Sequence, residues 1–248
     1  MSGSTPEFRV RDLQACDIAV AAVMHEEILT DEFLARCGRV FLRSYYRAWL
    51  ASPWRIAKAA VRADGSLAGL LLGSWEPSRH YRSMLRTGGA SIAMSLVVRS
   101  VARPRFGAEL ARTRGKRYAR GLFRAARRAL ADRSALAARS ALADRRARAD
   151  SRAEPVRGVV GGDGRAPRTA EITHVMVDPL LQGGGVGRML IDSAVSESRT
   201  RRVERLELVT PPEAAARAFY HRLGWQEDGE VVSSSGERFV RFQLDLEV

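Results

Sequence analysis

Apolar residues change their spacing several times along the chain, and each change marks an element. Phe8-Arg9-Val10-Arg11 alternates as a short strand does. Asp17 can cap a helix that runs to about Leu29, with Ile18, Val20, Val23 and Ile28 as its apolar side. Thr30-Asp31-Glu32 starts a second helix. Its Phe33, Leu34, Cys37, Phe41, Leu42, Tyr45 and Leu50 recur mostly at steps of three and four, and Pro53 ends it. Residues 55–62, then Ala63-Asp64-Gly65-Ser66, then 67–75 read as strand, tight turn, strand. Residues 81–101 are apolar with helical character, and Pro104 interrupts them.

From Gly115 a basic helix is expected, with Tyr118, Leu122, Ala126 and Leu130 spaced by four. It decays into an Ala/Arg near-repeat in which Ala129-Leu130-Ala131-Asp132-Arg133 returns as Ala141-Leu142-Ala143-Asp144-Arg145. Residues 158–168 read as loop. Beyond them the order is strand (172–177), helix (186–200), strand (205–209), helix (212–223) closed by Gly224, and two strands (226–232 and 238–246). This order predicts a mixed α/β sheet.

Composition changes the picture in one place. The net charge is +13, and the stretch from Arg99 to Arg157 holds 18 basic and 5 acidic residues, so the rest of the chain is neutral. The excess charge belongs to one segment rather than to a basic fold. Four readings of that segment stand side by side: a solvated helix with codon-biased composition, a dock for an acidic peptide, carrier or phosphorylated glycan, a membrane-surface contact, and nucleic-acid binding. Aromatics beyond Tyr118 and Phe123 are scarce there, which weighs against single-strand stacking. The two cysteines, Cys16 and Cys37, read as small core residues, so neither a disulfide framework nor a metal site is expected. No apolar run approaches the ~20 residues of a membrane span, and a cytoplasmic location is expected.

The chemistry concentrates at Val177-Asp178-Pro179-Leu180-Leu181-Gln182-Gly183-Gly184-Gly185-Val186-Gly187-Arg188. A strand runs into a glycine-dense loop that opens a helix. The first turn of a helix carries unpaired N–H donors and partial positive charge, and glycines let phosphates approach them. A dinucleotide fingerprint fits poorly because Arg188 stands where its last glycine should be. The Gly-Lys-Ser/Thr of a P-loop is absent. A purely structural turn remains open on these residues alone.

The stretch resembles the acyl-CoA-binding motif of the GNAT N-acetyltransferase superfamily, Val-x-Pro-x-x-Gln/Arg-Gly-x-Gly-x-Gly/Ala, filled here by Val177, Pro179, Gln182, Gly183, Gly185 and Gly187. Downstream, Ala216-Arg217-Ala218-Phe219-Tyr220-His221-Arg222-Leu223-Gly224-Trp225 resembles the family's Ala-x-x-Phe/Leu-Tyr-x-x-x-Gly-Phe/Trp. The resemblance implies a GNAT-like mixed, mostly antiparallel central sheet flanked by helices. Residues 1–78 would form the acceptor-side half, 79–168 a basic helical insertion, and 169–248 the acyl-CoA-binding half. It implies transfer of acetyl from acetyl-CoA to a primary amine of a peptide, amino sugar or small molecule, without a metal. A longer acyl-CoA, or a non-catalytic module that docks an acidic partner, are the alternatives.

Site roles follow from the same resemblance. Val175, Met176 and Val177 would pair through their backbone with the pantetheine arm. Gln182, Gly183, Gly184, Gly185, Val186, Gly187 and Arg188 would hold the pyrophosphate. Phe219 would border the site, and Glu213 stands where the family often has Asn. Tyr220 would protonate the departing thiolate, a phenol donating to a more acidic thiol. An ammonium acceptor must lose a proton before it attacks, and Glu171, then His174, then His25 are the candidates for taking it. Strict alternation along a strand would send Glu171 and His174 to opposite faces.

Overall fold

The computed structural model describes residues 8–108, 110, 168–233 and 236–247. The chain divides into two compact units, one of Met1–Ala102 with Ala166–Val248, the other Arg103–Arg165. Of the second, only 103–108 and 110 are described, and there Gly107 N–H donates to Arg103 O. The basic helix expected from Gly115, the Ala/Arg near-repeat and most of the loop at 158–168 lie outside the described residues.

The first unit is built on β1 (Phe8–Asp12), α1 (Ile18–Ile28), α2 (Phe33–Arg36), α3 (Arg39–Ala51), β2 (Arg55–Arg62), β3 (Leu67–Ser74), α4 (Pro77–Ala102), β4 (Thr169–Val177), α5 (Val186–Thr200), β5 (Arg205–Thr210), α6 (Ala216–Arg222), β6 (Gln226–Val232) and β7 (Arg238–Asp245). The seven strands form one sheet in the order β1-β2-β3-β4-β5-β7-β6, antiparallel throughout except where β4 runs parallel to β5. α5 packs on one face, called the back, against β1 to β4. Leu190, Ile191 and Ala194 of α5 are fully buried there with Ile56, Leu71, Ile172, Leu206 and Phe242. α1 and α3 cover the front face, and α4 packs on α3. Leu70, Leu72 and Met176, also fully buried, alternate to that front side.

Three local differences from the sequence pattern have physical causes. The helix expected from Thr30 to Pro53 is two helices, because Gly38 sits at φ +84, in the left-handed region, and starts α3 as a separate helix. α6 begins at Ala216 rather than Pro212. An isolated turn with Ala214 N–H bonded to Pro211 O comes first, and Pro212 O accepts from the Arg217 guanidinium at 3.1 Å. Asp17 does not cap α1 with its side chain. It accepts instead from Arg11 at 2.7 and 2.8 Å and from Gln14 N–H at 2.7 Å, fastening the helix start to β1.

α4, most of it on residues expected in the insertion, belongs to the first unit, which runs to Ala102. Its contact with α3 is close. A Cβ on Gly88 would stand 2.4 Å from Ala48 Cβ, and Ser91 Oγ donates to Ser44 Oγ at 3.2 Å. Among the described residues no helix is long and apolar enough to cross a membrane.

Candidate active site

β4 leads directly into the glycine turn. Asp178 accepts from Leu180 N–H at 3.0 Å and shapes a short 3-10 turn, Pro179–Leu181. Gln182 Nε2 reaches back to Val177 O at 3.5 Å. Gly183 and Gly185 both take φ +82, a conformation that costs a side-chain-bearing residue about 1 kcal/mol or more. Gly185 is the N-cap of α5, and no side chain caps the helix. The first bond of its ladder is Met189 N–H to Gly185 O, so the N–H groups of Val186, Gly187 and Arg188 precede the ladder. Residues 182–185 are exposed. The loop therefore presents unpaired donors and the positive end of a helix dipole to solvent, which suits an anion such as pyrophosphate. Arg188 is exposed beside it and pairs with Asp192 at 3.5 Å.

The first turn of α5 also touches the second motif. A Cβ on Gly187 would stand 3.3 Å from Phe219 Cζ and 3.6 Å from Val177 Cγ2. The strand end, the glycine turn and α6 thus meet at one point. Tyr220, next to Phe219, is buried against Trp225 and Phe242, with ring centroids 5.9 and 5.5 Å away. Burial pushes its hydroxyl up to about 12, so it carries its proton at neutral pH. Glu213 is exposed in the turn before α6.

β4 is unevenly paired. It pairs with β3 from Glu171 to Val177, but with β5 only from Thr169 to Ile172. From Thr173 to Val177 the edge facing away from β3 has no strand partner among the described residues, so the backbone of Val175, Met176 and Val177 is open to an extended ligand on that side.

A bulge falls at Thr173, where the register with β3 shifts between Leu72 and Gly73. The extra residue reverses the alternation, so Glu171 and His174 share the front face instead of opposing one another. Glu171 is half-buried near Tyr45 and Tyr81, whose hydroxyls its charge perturbs. Its pKa is raised by burial and then by the Glu207 carboxylate, its direct partner across β4 and β5. Among the described residues its carboxylate makes no hydrogen bond or ion pair. Next in the row, Gln243 pairs with Glu207 in register, and its buried Oε1 has no hydrogen-bond partner. His174 lies against Tyr45, and its Nε2 is 3.0 Å from Glu32 Oε1. His25, fully buried, sets its own Nε2 3.0 Å from Glu32 Oε2. Burial lowers the His25 pKa, partly offset by the bond to Glu32. Burial would raise Glu32, but bonds from His174 and His25 outweigh it and hold the carboxyl down at about 2.

Glu32, Glu207, Gln243, Tyr45 and Tyr81 neighbour the candidate residues on the front face, and sequence reasoning did not place them there. The one sequence signal for Glu207 is its place on a strand parallel to the one carrying Glu171.

Residues 149–225 match the family model for the Acetyltransferase (GNAT) family. No curated protein matches the sequence. Among solved structures, Ard1 from Thermoplasma volcanium is 13% identical with a TM-score of 0.50, over 98% of this chain and 99% of that one. A chimera of the spermidine N-acetyltransferase SpeG from Vibrio cholerae and hSSAT is 13% identical with a TM-score of 0.52, over 96% and 95%. A GCN5-related N-acetyltransferase from Kribbella flavida is 12% identical with a TM-score of 0.50, over 98% and 100%. At these identities the likeness speaks for the fold. The family match ends at Trp225, one residue past the glycine that closes α6, and the chain from 149 to that point is an acetyltransferase domain of the GNAT family.

Proposed function

We propose that the protein is an acyl-CoA-dependent N-acetyltransferase that passes an acetyl group directly to a primary amine. The observation that carries this reading is the uncapped glycine turn at the start of α5, set beside the half of β4 that has left β5. A long anionic thioester needs both: donors for its pyrophosphate and an open strand edge for its amide-bearing arm. Bound there, acetyl-CoA would supply an activated acyl carbon between the two halves of the sheet.

The chain's own residues then divide the proton work. Glu171 is the base, and its raised pKa suits it to take a proton from an ammonium group. His174 is assigned no proton transfer because its Nε2 faces Glu32. The unpaired Gln243 Oε1 and the Glu207 carboxylate extend the same row of acceptors, which favours a cationic, N–H-rich acceptor. As nitrogen bonds to the acyl carbon and the carbon–sulfur bond breaks, Tyr220 donates its proton to the leaving sulfur, and the second proton that the nitrogen loses restores the phenol. Cys16 is exposed and Cys37 is buried, and neither takes part in the row on the front face, which favours transfer without a covalent enzyme intermediate.

The test is the full chain mixed with acetyl-CoA and a panel of peptide, amino-sugar and polyamine acceptors, read by mass spectrometry and thiol release. Acetylated amine and free thiol should appear in equal amounts. Tyr220→Phe should lower kcat by roughly ten- to ten-thousand-fold while acetyl-CoA still binds. An unchanged kcat would remove Tyr220 from this role, and absence of acetyl-CoA binding to the parent chain would refute the reading.

A further inference from the structure

Three polar side chains on the front face converge where the acyl-transfer chemistry does not need them. His25 from α1, Glu32 at the N-cap of α2 and His174 from β4 each offer a ligand atom, all within 4.8 Å of one another. Both imidazoles aim Nε2 at the one carboxylate, at 3.0 Å each. Both tether Nδ1 to a hydroxyl, His25 to Tyr46 at 3.2 Å and His174 to Thr173 at 3.1 Å.

The Thr173 hydroxyl lies 3.2 Å from Leu72 O as well as 3.1 Å from His174 Nδ1, so with its hydrogen given to Leu72 O it accepts from Nδ1–H. In that tautomer the Nε2 lone pair of His174 is free, as a metal ligand requires, and an ion between the rings and Glu32 takes the place of the Nε2–H bonds. A metal ion serves all three groups at once, and the Nδ1–hydroxyl tethers are the outer bonds that orient metal-binding imidazoles.

We infer that His25 Nε2, the Glu32 carboxylate and His174 Nε2 form a binding site for a divalent transition metal of the zinc class. Two imidazoles and one carboxylate match zinc sites that keep a fourth position for water or substrate. Glu32 is the ligand open to solvent, its side chain 35% exposed against 0% for His25 and 8% for His174. Access and the fourth position therefore lie on its side. The ion would clamp α1 and the start of α2 onto β4.

The full chain, stripped with chelator, is titrated with ZnCl2 and with CoCl2, with metal content read by mass spectrometry. One Zn2+ per chain is expected, with a rise in Tm on binding, and Co2+ should give visible absorption from a low-symmetry nitrogen and oxygen set. Glu32→Gln and His174→Gln should each weaken Zn2+ binding by at least about tenfold. Cys16→Ser, Cys37→Ser and His221→Gln should bind as the parent does. His25 is fully buried, so the decisive variant is Glu32→Gln, which keeps the side chain's shape at a half-exposed position, its fold checked by circular dichroism. A parent chain that binds Zn2+ no better than Glu32→Gln, as a simple His174–Glu32 ion pair would, overturns the site. So does binding lost with either cysteine or with His221.

Discussion

Glu171 owes its setting to its neighbours. Its carboxyl is raised by burial and by the charge of Glu207 across the ladder. A base works in its ionised form, so activity should rise with pH through that raised pKa. Removing the neighbouring charge leaves burial opposed by His174, lowers the pKa, and should move the acidic limb of kcat/KM to lower pH in Glu207→Gln. A limb that stays put or moves up would show that Glu207 does not govern Glu171. The same raised pKa costs the fold stability as pH climbs from the ordinary carboxylate range through the raised value. The place of Tyr220, beside Phe219 and the glycine turn, was legible because it stands in a contiguous motif. The cluster of His25, Glu32 and His174 was not, since its members lie 7 and 142 residues apart and no local spacing joins them.

At the scale of elements, a glycine-rich run on a strand-to-helix turn announces its geometry because each φ it needs is local. The bulge at Thr173 does not. It depends on how β4 registers on β3, and it decides which face Glu171 and His174 share. Strict alternation therefore misplaced one of the two. Helix α4 shows how far packing overrides propensity. Ala in place of a helical Gly gains about 1 kcal/mol, and Gly88 and Gly89 would gain alike. A Cβ at Gly88 meets Ala48 Cβ at 2.4 Å, whereas at Gly89 it meets only Leu85 at 4.0 Å. Overpacking costs about 1 to 3 kcal/mol, so Gly88→Ala should lower Tm and Gly89→Ala should raise it. Equal shifts in thermal unfolding would show that α4 does not press on α3 as described.

For the whole molecule, the mixed sheet with helices on both faces was legible from element order, because strand and helix periods survive in the apolar pattern. The reach of the first unit was not. Residues 79–102 read as the start of a basic insertion, yet α4 packs on α3, and no composition statistic shows which helix will find a partner. The short β4–β5 pairing has a mechanical consequence. Four residue pairs join the strands before it to those after it, and α5 braces the first group, β1 to β4. Such a seam is the cheapest place for the sheet to open. Its amides should exchange with deuterium sooner than those of the longer β2–β3 hairpin, and acetyl-CoA bound at the proposed site should slow them. If the seam exchanges as slowly as the hairpin before ligand is added, the two halves move as one body.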